Sequence, residues 1–430
     1  MTNFIDSHFS RKQIRTVIFA VTIGNFLEWY EIYLYVYWAP IISKLFFDGS
    51  SLANLTHTFV IFALAFLARP IGGLVFGRIG DRIGRRKALI LSIIMMTLPT
   101  FMTGFLPTYQ TIGAFAPYML ALTRFLQAFP AGAEIPGAFC YLYESSPWSI
   151  RHYMTSWAVW GYQIGILVST IECFLLEKYL TPESLITWGW RASFIIGGLI
   201  GLLGLCFRYR LHETPLFREM QTHTKMVKEP ILQSLYRNRV GIFKGILFCA
   251  FNSSSFYLIS VNFPVYFGEA LGIDYKNNLI ITMILLVLMV LPVPLFGKIA
   301  DRYSNKKILI SAVLGMITLL YPLYLAIASG SIFYMSAVIF IFCLLYACNT
   351  ALIPYIVSDL FSTHDRFTCS GVSFNLADAI IGGFTPALAL YLLHWTGSPG
   401  SFVWILLFVA LLSFSGYLYL KPRRTHIEHH

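Results

Sequence analysis

The chain has 430 residues, of which 57% are hydrophobic, 17% are aromatic and only 12% are charged, and its formal net charge is +11. A soluble globular domain carries about twice this fraction of charged residues, so the composition excludes an ordinary soluble domain. Apolar runs of about 20 residues recur from Ile14 to Leu420, and each is long enough to cross a hydrocarbon core of ~30 Å as a helix. We therefore expect an all-α polytopic membrane protein.

The apolar runs predict twelve transmembrane helices. Most of the 31 Lys and Arg residues fall in the termini and in alternate connections, which is the positive-inside distribution. The basic charge is then a topology signal that places both termini in the cytoplasm, and it indicates a lipid bilayer rather than nucleic acid as partner. We expect the bacterial inner membrane as location. The predicted helices span 15–42, 57–79, 88–107, 115–143, 153–177, 190–208, 241–268, 278–299, 307–329, 332–357, 368–394 and 401–420.

The chain shows no motif of an enzyme or of a cofactor-binding protein. No phosphate-binding loop, dinucleotide fingerprint or nucleophile motif is present. The seven cysteines form no CxxC pair and do not lie at metal-ligand spacing with histidine. We expect no catalysis, no metal and no cofactor.

Two pairs of motifs indicate an internal repeat. The stretch GRIGDRIGRRK begins at Gly77 between helices 2 and 3, and GKIADRYSNKK begins at Gly297 between helices 8 and 9. After helices 4 and 10, an acidic residue is followed seven positions later by an arginine, at a similar offset. An even number of helices per repeat keeps both copies in one orientation. The second motif consists of Glu144 with Arg151 and of Asp359 with Arg366.

The repeat divides the chain into two halves of six helices. We expect residues 1–210 to form the N-terminal bundle and residues 241–430 to form the C-terminal bundle. The stretch 211–240 is rich in charge and contains Pro215 and Pro230, so we expect it to link the two bundles on the cytoplasmic side.

These residues resemble a known family. GRIGDRIGRRK is similar to the loop 2–3 signature of the major facilitator superfamily. GNFLEWYE from Gly24, ARPIGG from Ala68, WGWR from Trp188 and HETPLF from His212 resemble its metabolite:proton symporter subfamily, which includes proline/betaine, citrate, α-ketoglutarate and shikimate transporters. The resemblance implies the major facilitator fold, with twelve helices in two pseudo-symmetric bundles and alternating access to a central cavity.

The resemblance also implies a cytoplasmic latch. Gly77 lacks a Cβ and permits a close helix approach, while Asp81 can accept hydrogen bonds from a helix N-terminus or a guanidinium. The alternative is that the basic residues only anchor the chain at the membrane surface. The candidate latch residues are Gly77, Asp81, Arg85, Asp301, Glu144, Arg151, Asp359 and Arg366.

Ionisable residues within the predicted spans carry the functional prediction. Charged side chains are unfavourable in lipid, so we expect them to face each other or a wet cavity. A buried carboxylate without a basic partner is the better proton carrier, and the candidates, in order, are Glu31, Glu28, Glu134 and Asp378. Arg124 and Arg69 are candidates for binding a substrate carboxylate.

Each of these residues also has a structural interpretation. Arg69 could satisfy backbone carbonyls that Pro70 frees, and Glu134 could be a fixed partner of Arg124. Asp378 lies near Gly382, where helices approach closely, so a structural hydrogen bond is an alternative to proton transfer.

Polar and aromatic residues at helical spacing extend the predicted site. Polar stripes on helices 1, 4, 7 and 11 repeat at i, i+3, i+7 and i+10 and are plausible walls of a cavity. Aromatic side chains can hold a quaternary ammonium by cation–π attraction, which suits a betaine-like zwitterion. The further candidates for substrate binding are Asn25, Tyr33, Gln127, Trp160, Asn252, Asn262, Asn349 and Asn375.

Together these features predict a monomeric secondary transporter that takes up a small anionic or zwitterionic metabolite with protons. Sodium remains an alternative coupling ion, because carboxylate and amide oxygens also suit a hard cation. Export or exchange is the competing function within transport. A channel or a receptor that does not transport is a more remote alternative.

Overall fold

A computed structural model describes residues 11–223, 230–263, 275–329, 331–398, 400–418 and 420. Within this part of the chain the regular structure is helical, with no strand. Nine of its helical segments are long and apolar enough to cross a membrane. Ser51–Ile83, Phe115–Glu144 and the shorter Val403–Leu418 complete a set of twelve.

The twelve helices follow the predicted order, and most ends lie within about four residues of those predicted. We label them α1 (Arg11–Phe46), α2 (Ser51–Ile83), α3 (Arg85–Thr103), α4 (Phe115–Glu144), α5 (Arg151–Tyr179), α6 (Trp190–Tyr209), α7 (Arg239–Tyr257), α8 (Tyr275–Val290 and Val293–Ala300), α9 (Asn305–Ser329), α10 (Ile332–Asp359), α11 (Arg366–Leu376 and Gly383–Thr396) and α12 (Val403–Leu418).

Several helices depart from regular α-helical geometry, and a π-helical turn, Leu185–Gly189, leads into α6. α8 is interrupted next to Pro292, which cannot donate a backbone hydrogen bond. α7 ends in a π-helical turn, Leu258–Asn262, and α11 contains another, Ala377–Gly382. Such turns are frequent at functional sites, and the one in α11 carries Asp378.

The first six and the last six helices form two bundles. Glycines bring helices of the first bundle close together: a Cβ on Gly132 of α4 would overlap the Arg69 carbonyl of α2, and one on Gly165 of α5 would overlap the Phe26 carbonyl of α1. Between the bundles, α11 packs against α2 and α4, and α5 packs against α8 and α10. Large apolar side chains such as Leu67 and Phe408 lie exposed on the outer faces, as a lipid environment requires.

The stretch 211–240 contains two short helices, which we call the first linker helix (Pro215–His223) and the second linker helix (Ile231–Arg237). On its N-terminal side, Glu213 accepts hydrogen bonds from the backbone N–H groups of Arg85 (3.0 Å) and Arg86 (3.2 Å) at the start of α3. The stretch therefore contacts the first bundle. The bundle limits at residues 210 and 241 stay a prediction.

Asp365, which precedes α11, binds the C-terminal part of this stretch through hydrogen bonds to the second linker helix. Burial raises the pKa of its carboxyl, but hydrogen bonds from Ser234 (2.6 Å), Arg237 (2.6 Å), His364 and Asn238 outweigh burial and lower the pKa to about 2. The carboxylate therefore stays ionised at neutral pH and ties the second linker helix to α11.

Candidate functional site

Five ionisable residues near the middle of the described helices are buried. Glu28, Glu31, Arg69, Arg124 and Asp378 are at most 6% exposed, and they come from α1, α2, α4 and α11. None of them lies on a lipid-facing surface, as the energy of a charge in hydrocarbon requires. Their partners differ, and these differences decide what each residue can do.

Glu28 of α1 forms a buried ion pair with Arg69 of α2. The Arg69 guanidinium also lies 5.7 Å from the centre of the Trp29 ring. Glu28 therefore has a basic partner, which makes it a weaker candidate for carrying a proton than a carboxylate without one.

Asp378 of α11 brings the second bundle to this pair. It accepts a hydrogen bond of 3.3 Å from the Tyr257 hydroxyl of α7, and its charge interacts with that of Arg69. One carboxylate from each bundle, Glu28 and Asp378, thus interacts electrostatically with the Arg69 guanidinium.

Glu31 lies one turn further along α1 and is held by neutral groups. It accepts hydrogen bonds from the Thr100 hydroxyl of α3 and from Gln127 Nε2 of α4 (3.1 Å). Gln127 Nε2 also donates to the Thr100 hydroxyl at 2.8 Å. The charge of Arg124 acts on Glu31, but no hydrogen bond or ion pair joins these two residues.

Arg124 of α4 is buried against aromatic rings. Its guanidinium lies 4.7 Å from the centre of the Tyr35 ring and 5.2 Å from that of Phe194. Its Nε and Nη2 atoms are buried and have no hydrogen-bond partner in the described part of the chain. Two strong donors are thus available to an incoming anion.

A small cavity lies between the Glu31 carboxylate and the Arg124 guanidinium. Its volume is about 30 Å³, which is room for about one water molecule. It is far smaller than a typical ligand pocket of roughly 300–1,000 Å³. Its lining includes Glu31, Arg69, Arg124, Gln127, Ile32 and Ala131.

Glu134 lies away from this cavity and has a different partner from the one predicted. Both of its carboxylate oxygens contact Arg208 of α6, and Ser92 donates a further hydrogen bond of 2.6 Å. The expected pairing with Arg124 is therefore absent. Gly24 of α1 makes room for the pair, because a Cβ there would overlap both Arg208 and Glu134.

The predicted asparagines are distributed over several helix contacts. Asn25 donates to the Ala158 carbonyl at 2.9 Å, which ties α1 to α5, and Asn375 donates to the Gly132 carbonyl at 2.5 Å, which ties α11 to α4. Asn349 donates to the Tyr417 hydroxyl at 3.4 Å within the second bundle. Asn252 is buried with Oδ1 lacking a partner in the described residues. The side chain of Asn262 lies outside the described residues.

An aromatic cluster adjoins the charged residues. Trp29 of α1 packs against Tyr162 of α5 and Phe256 of α7, with ring centres 5.4 and 5.3 Å apart. Tyr33 lies next to Trp29 at 6.2 Å. Trp160, by contrast, is half-buried and packs on Trp157. The cluster joins both bundles and provides ring faces beside Arg69.

Several residues of this region were missed from the sequence. Thr100, Arg208 and Tyr257 contact the predicted charges, and Phe256 packs on Trp29 beside them, but these four residues were not among the candidates. Tyr257 is next to the polar stripe of α7, and Thr100 follows Thr97 by three residues on α3, so helical spacing offered a weak signal. Arg208 lies at a helix end, where a membrane anchor was the simpler interpretation.

The bundles also contact each other at the end that carries the two repeated loops, 77–87 and 297–307. We call it the basic end because these loops are rich in Lys and Arg residues. Asp81 accepts hydrogen bonds from the first turn of α11: from Phe367 N (3.1 Å), Thr368 N (2.9 Å) and the Thr368 hydroxyl (2.6 Å). Gly77 lies against the Thr368 backbone, where a Cβ would be 2.8 Å from the Thr368 Cα.

Asp301 forms the equivalent contact in the second copy of the motif. It accepts hydrogen bonds from His152 N (2.8 Å) and Tyr153 N (3.0 Å) at the start of α5, and from the His152 ring. Each motif aspartate thus binds the N-terminus of a helix in the other bundle.

Glu144 connects three parts of the basic end. It pairs with Arg85 of α3 (2.9 Å), with Arg366 of α11 (2.7 Å) and with the Thr214 hydroxyl (2.7 Å). Asp359 accepts a hydrogen bond from the Tyr143 hydroxyl, and Arg151 lies over the Trp148 ring at 3.9 Å.

A family comparison accounts for this arrangement. The family model described as Major Facilitator Superfamily matches residues 21–379. The chain belongs to the Major Facilitator Superfamily. Its twelve helices in two bundles and the repeated motif are therefore those of a membrane transporter of this superfamily.

Named relatives and solved structures agree with this assignment. The citrate-proton symporter of Klebsiella pneumoniae is 32% identical, with 94% of this chain and 91% of the relative covered. A Staphylococcus aureus (strain MSSA476) protein with the name "Putative proline/betaine transporter" is 31% identical, at 96% and 88% coverage. The proton:xylose symporter XylE has the same fold, with a TM-score of 0.81, 17% identity and coverage of 96% and 97%.

Proposed function

We propose that this superfamily member takes up a small anionic or zwitterionic metabolite together with protons. The substrates in the names of its relatives, citrate and proline/betaine, are anions or zwitterions, and two of the relatives and neighbours are named as proton symporters. The buried guanidinium groups and ring faces of the site suit the same chemical class.

The arrangement of Glu31 and Arg124 is the observation that carries the proposal. Glu31 accepts hydrogen bonds from neutral groups only, while Arg124 keeps two buried donors without partners in the described residues. Protonation of Glu31 removes the negative charge that acts on Arg124, and a substrate carboxylate then replaces it. Proton binding and substrate binding therefore favour each other.

The remaining residues have supporting roles in the proposal. The Glu28–Arg69 pair and Asp378 join the bundles at the site, and the rings of Trp29 and Tyr162 contact the apolar or cationic part of the substrate. The protein lies in the inner membrane of a bacterium. Its basic end and both of its termini face the cytoplasm. The protein functions as a monomer.

Transport in proteoliposomes tests the proposal. Purified protein is reconstituted, and uptake of proline, betaine and mono-, di- and tricarboxylates is measured with and without an imposed pH gradient. We expect saturable accumulation of at least one carboxylate-containing substrate that requires an acidic exterior. Counterflow without gradient-driven accumulation would instead show an exchanger, and accumulation driven by sodium alone would contradict proton coupling.

A further inference from the structure

We propose that a cleft at the basic end binds the phosphate headgroup of an anionic phospholipid. The cleft lies between the ends of α2, α3 and α6 and the first linker helix, and its volume is about 500 Å³. Its basic lining residues are Arg86, Lys87, Arg210 and Arg218. We call it the basic cleft; it is separate from the small cavity beside Glu31 and has no part in the proposed transport chemistry.

The four basic side chains of the basic cleft outnumber its acidic ones. Its one acidic lining residue is Glu213, whose carboxylate is already held by the backbone N–H groups of Arg85, Arg86 and Thr214. Among the described residues no carboxylate forms an ion pair with Lys87, Arg210 or Arg218.

Arg86 provides an independent observation that points to an anionic ligand. Its Nη2 donates to the Tyr209 carbonyl at 2.8 Å, which holds the guanidinium at the cleft. Its Nε is buried without a hydrogen-bond partner in the described part of the chain. Such an atom carries a desolvation penalty that an anionic oxygen would remove.

The position of the cleft points to a lipid as the source of the anion. The helices that end at the cleft carry exposed leucines, among them Leu91 of α3 and Leu202 of α6. Ile83 and Tyr209, which are 52% and 55% exposed, line the cleft itself, and tyrosine is typical of the membrane interface. Basic pockets between helix ends at a membrane surface are suited to anionic headgroups. The cleft is also much larger than a single phosphate ion needs.

Native mass spectrometry with short-chain lipids tests this proposal. Each basic residue near an anionic membrane surface strengthens binding roughly fivefold. We therefore expect wild-type protein to bind dioctanoyl phosphatidylglycerol at least tenfold more tightly than dioctanoyl phosphatidylcholine. The variant Lys87→Gln/Arg210→Gln/Arg218→Gln should lose this preference.

The matched control removes three charges from the same end of the other bundle. Lys298→Gln/Arg302→Gln/Lys307→Gln should bind phosphatidylglycerol within about twofold of wild type, because these exposed residues lie outside the cleft. The variant Lys87→Arg/Arg210→Lys/Arg218→Lys keeps the charge and should keep the binding, which separates loss of charge from misfolding.

Three results would overturn the proposal. The first is that wild type binds phosphatidylglycerol and phosphatidylcholine equally well. The second is that the cleft variant keeps the preference for phosphatidylglycerol. The third is that the control variant loses this preference as fully as the cleft variant does. Competition with inorganic phosphate distinguishes the source: displacement of the lipid by millimolar phosphate would show a site for the free ion and contradict a lipid site.

Discussion

The buried carboxylates of the first bundle differ in the groups that hold them. Glu28 and Glu134 each contact a guanidinium, whereas Glu31 accepts hydrogen bonds from a hydroxyl and an amide. An adjacent positive charge stabilises the ionised form of a carboxylate, and burial without one favours the protonated form. We therefore propose Glu31, which has no ion-pair partner in direct contact among the described residues, as the residue of this group that gains and loses a proton.

Glu31→Gln tests this role directly. Glutamine is isosteric and can keep hydrogen bonds to Thr100 and Gln127, but it cannot release a proton. We expect the variant to lose pH-driven accumulation in proteoliposomes while keeping substrate counterflow. Glu183→Gln, on an exposed segment, is the control and should accumulate as wild type. Normal accumulation by Glu31→Gln would eliminate the assignment.

Arg124→Lys tests recognition of a carboxylate. Lysine keeps the charge but loses the planar fork of donors. A hydrogen bond between charged groups contributes about 1.5–3 kcal/mol, so we expect KM to rise roughly tenfold to a hundredfold. Arg191→Lys, where the native guanidinium binds the backbone carbonyls of Gly104 and Leu106, is the matched control. An unchanged KM for every carboxylate substrate would contradict the proposed role.

Glu134→Gln should act on stability rather than on coupling. Breaking a fully buried ion pair from one side leaves Arg208 without its charge partner and destabilises a protein by about 3–5 kcal/mol. We expect a clearly lower melting temperature in detergent, and partial recovery in Glu134→Leu/Arg208→Met. A variant with wild-type stability that has lost only the pH dependence of transport would show that Glu134, not Glu31, carries the proton.

At the scale of helices, the basic end is closed by aspartates that bind helix N-termini. Asp81 of α2 binds the first turn of α11, and Asp301 after α8 binds the first turn of α5. The first N–H groups of a helix have no partner within the helix and carry partial positive charge, so a carboxylate satisfies both needs. The two contacts are related by the internal repeat, and each joins one bundle to the other.

Asp81→Asn should open the basic end more often. Cys140 of α4 reports this opening, because it is fully buried in a cluster with Phe76 and Phe367 that spans the two bundles. In a chain whose other cysteines are replaced, we expect a maleimide to label Cys140 roughly tenfold faster in Asp81→Asn than in wild type, a change of about 1.4 kcal/mol in the opening equilibrium.

The control for this experiment is Asp48→Asn, which makes the same change at an exposed residue of the opposite end and should leave labelling unchanged. Equal labelling of Cys140 in the Asp81 variant and in wild type would show that Asp81 does not hold the basic end closed.

At the scale of the whole molecule, the described structure is closed at its basic end and has little space beside Glu31 and Arg124. The bundles touch at the basic end, and the cavity beside Glu31 and Arg124 has room for about one water molecule. A metabolite of several heavy atoms requires a larger space, so the bundles must move apart for it to bind. Such movement around a fixed central site is how paired bundles provide alternating access.

The coupling of this movement to protons predicts a definite accumulation ratio. One pH unit corresponds to about 1.36 kcal/mol per proton, which is a tenfold ratio. With one proton per substrate, a gradient of one unit and no membrane potential, we expect about tenfold accumulation that a protonophore abolishes. Replacing sodium with potassium should have no effect. A ratio that follows the sodium gradient would contradict proton coupling.

The sequence by itself determined the class of protein, the number and order of helices and the interior charges. Long apolar runs are decisive because a helix satisfies its backbone groups locally, so a span needs no information about its neighbours. The sequence also revealed the internal repeat, because the same motif contains Gly77 with Asp81 in the first half and Gly297 with Asp301 in the second. The roles assigned to the candidate site residues remain predictions, although burial of the interior charges follows from composition alone.

Only the tertiary structure decided which residues are partners. The sequence offered Arg124 as a structural partner of Glu134, the alternative to a proton-carrying role. Arg208 of α6 is the partner instead, because the close contact at Gly24 brings three helices together. Phe256 and Tyr257 meet Trp29 and Asp378 across the bundle interface. Spacing along one helix fixes which face a residue occupies, but distances between helices depend on packing, and those distances determine which carboxylate has a guanidinium and which can exchange a proton.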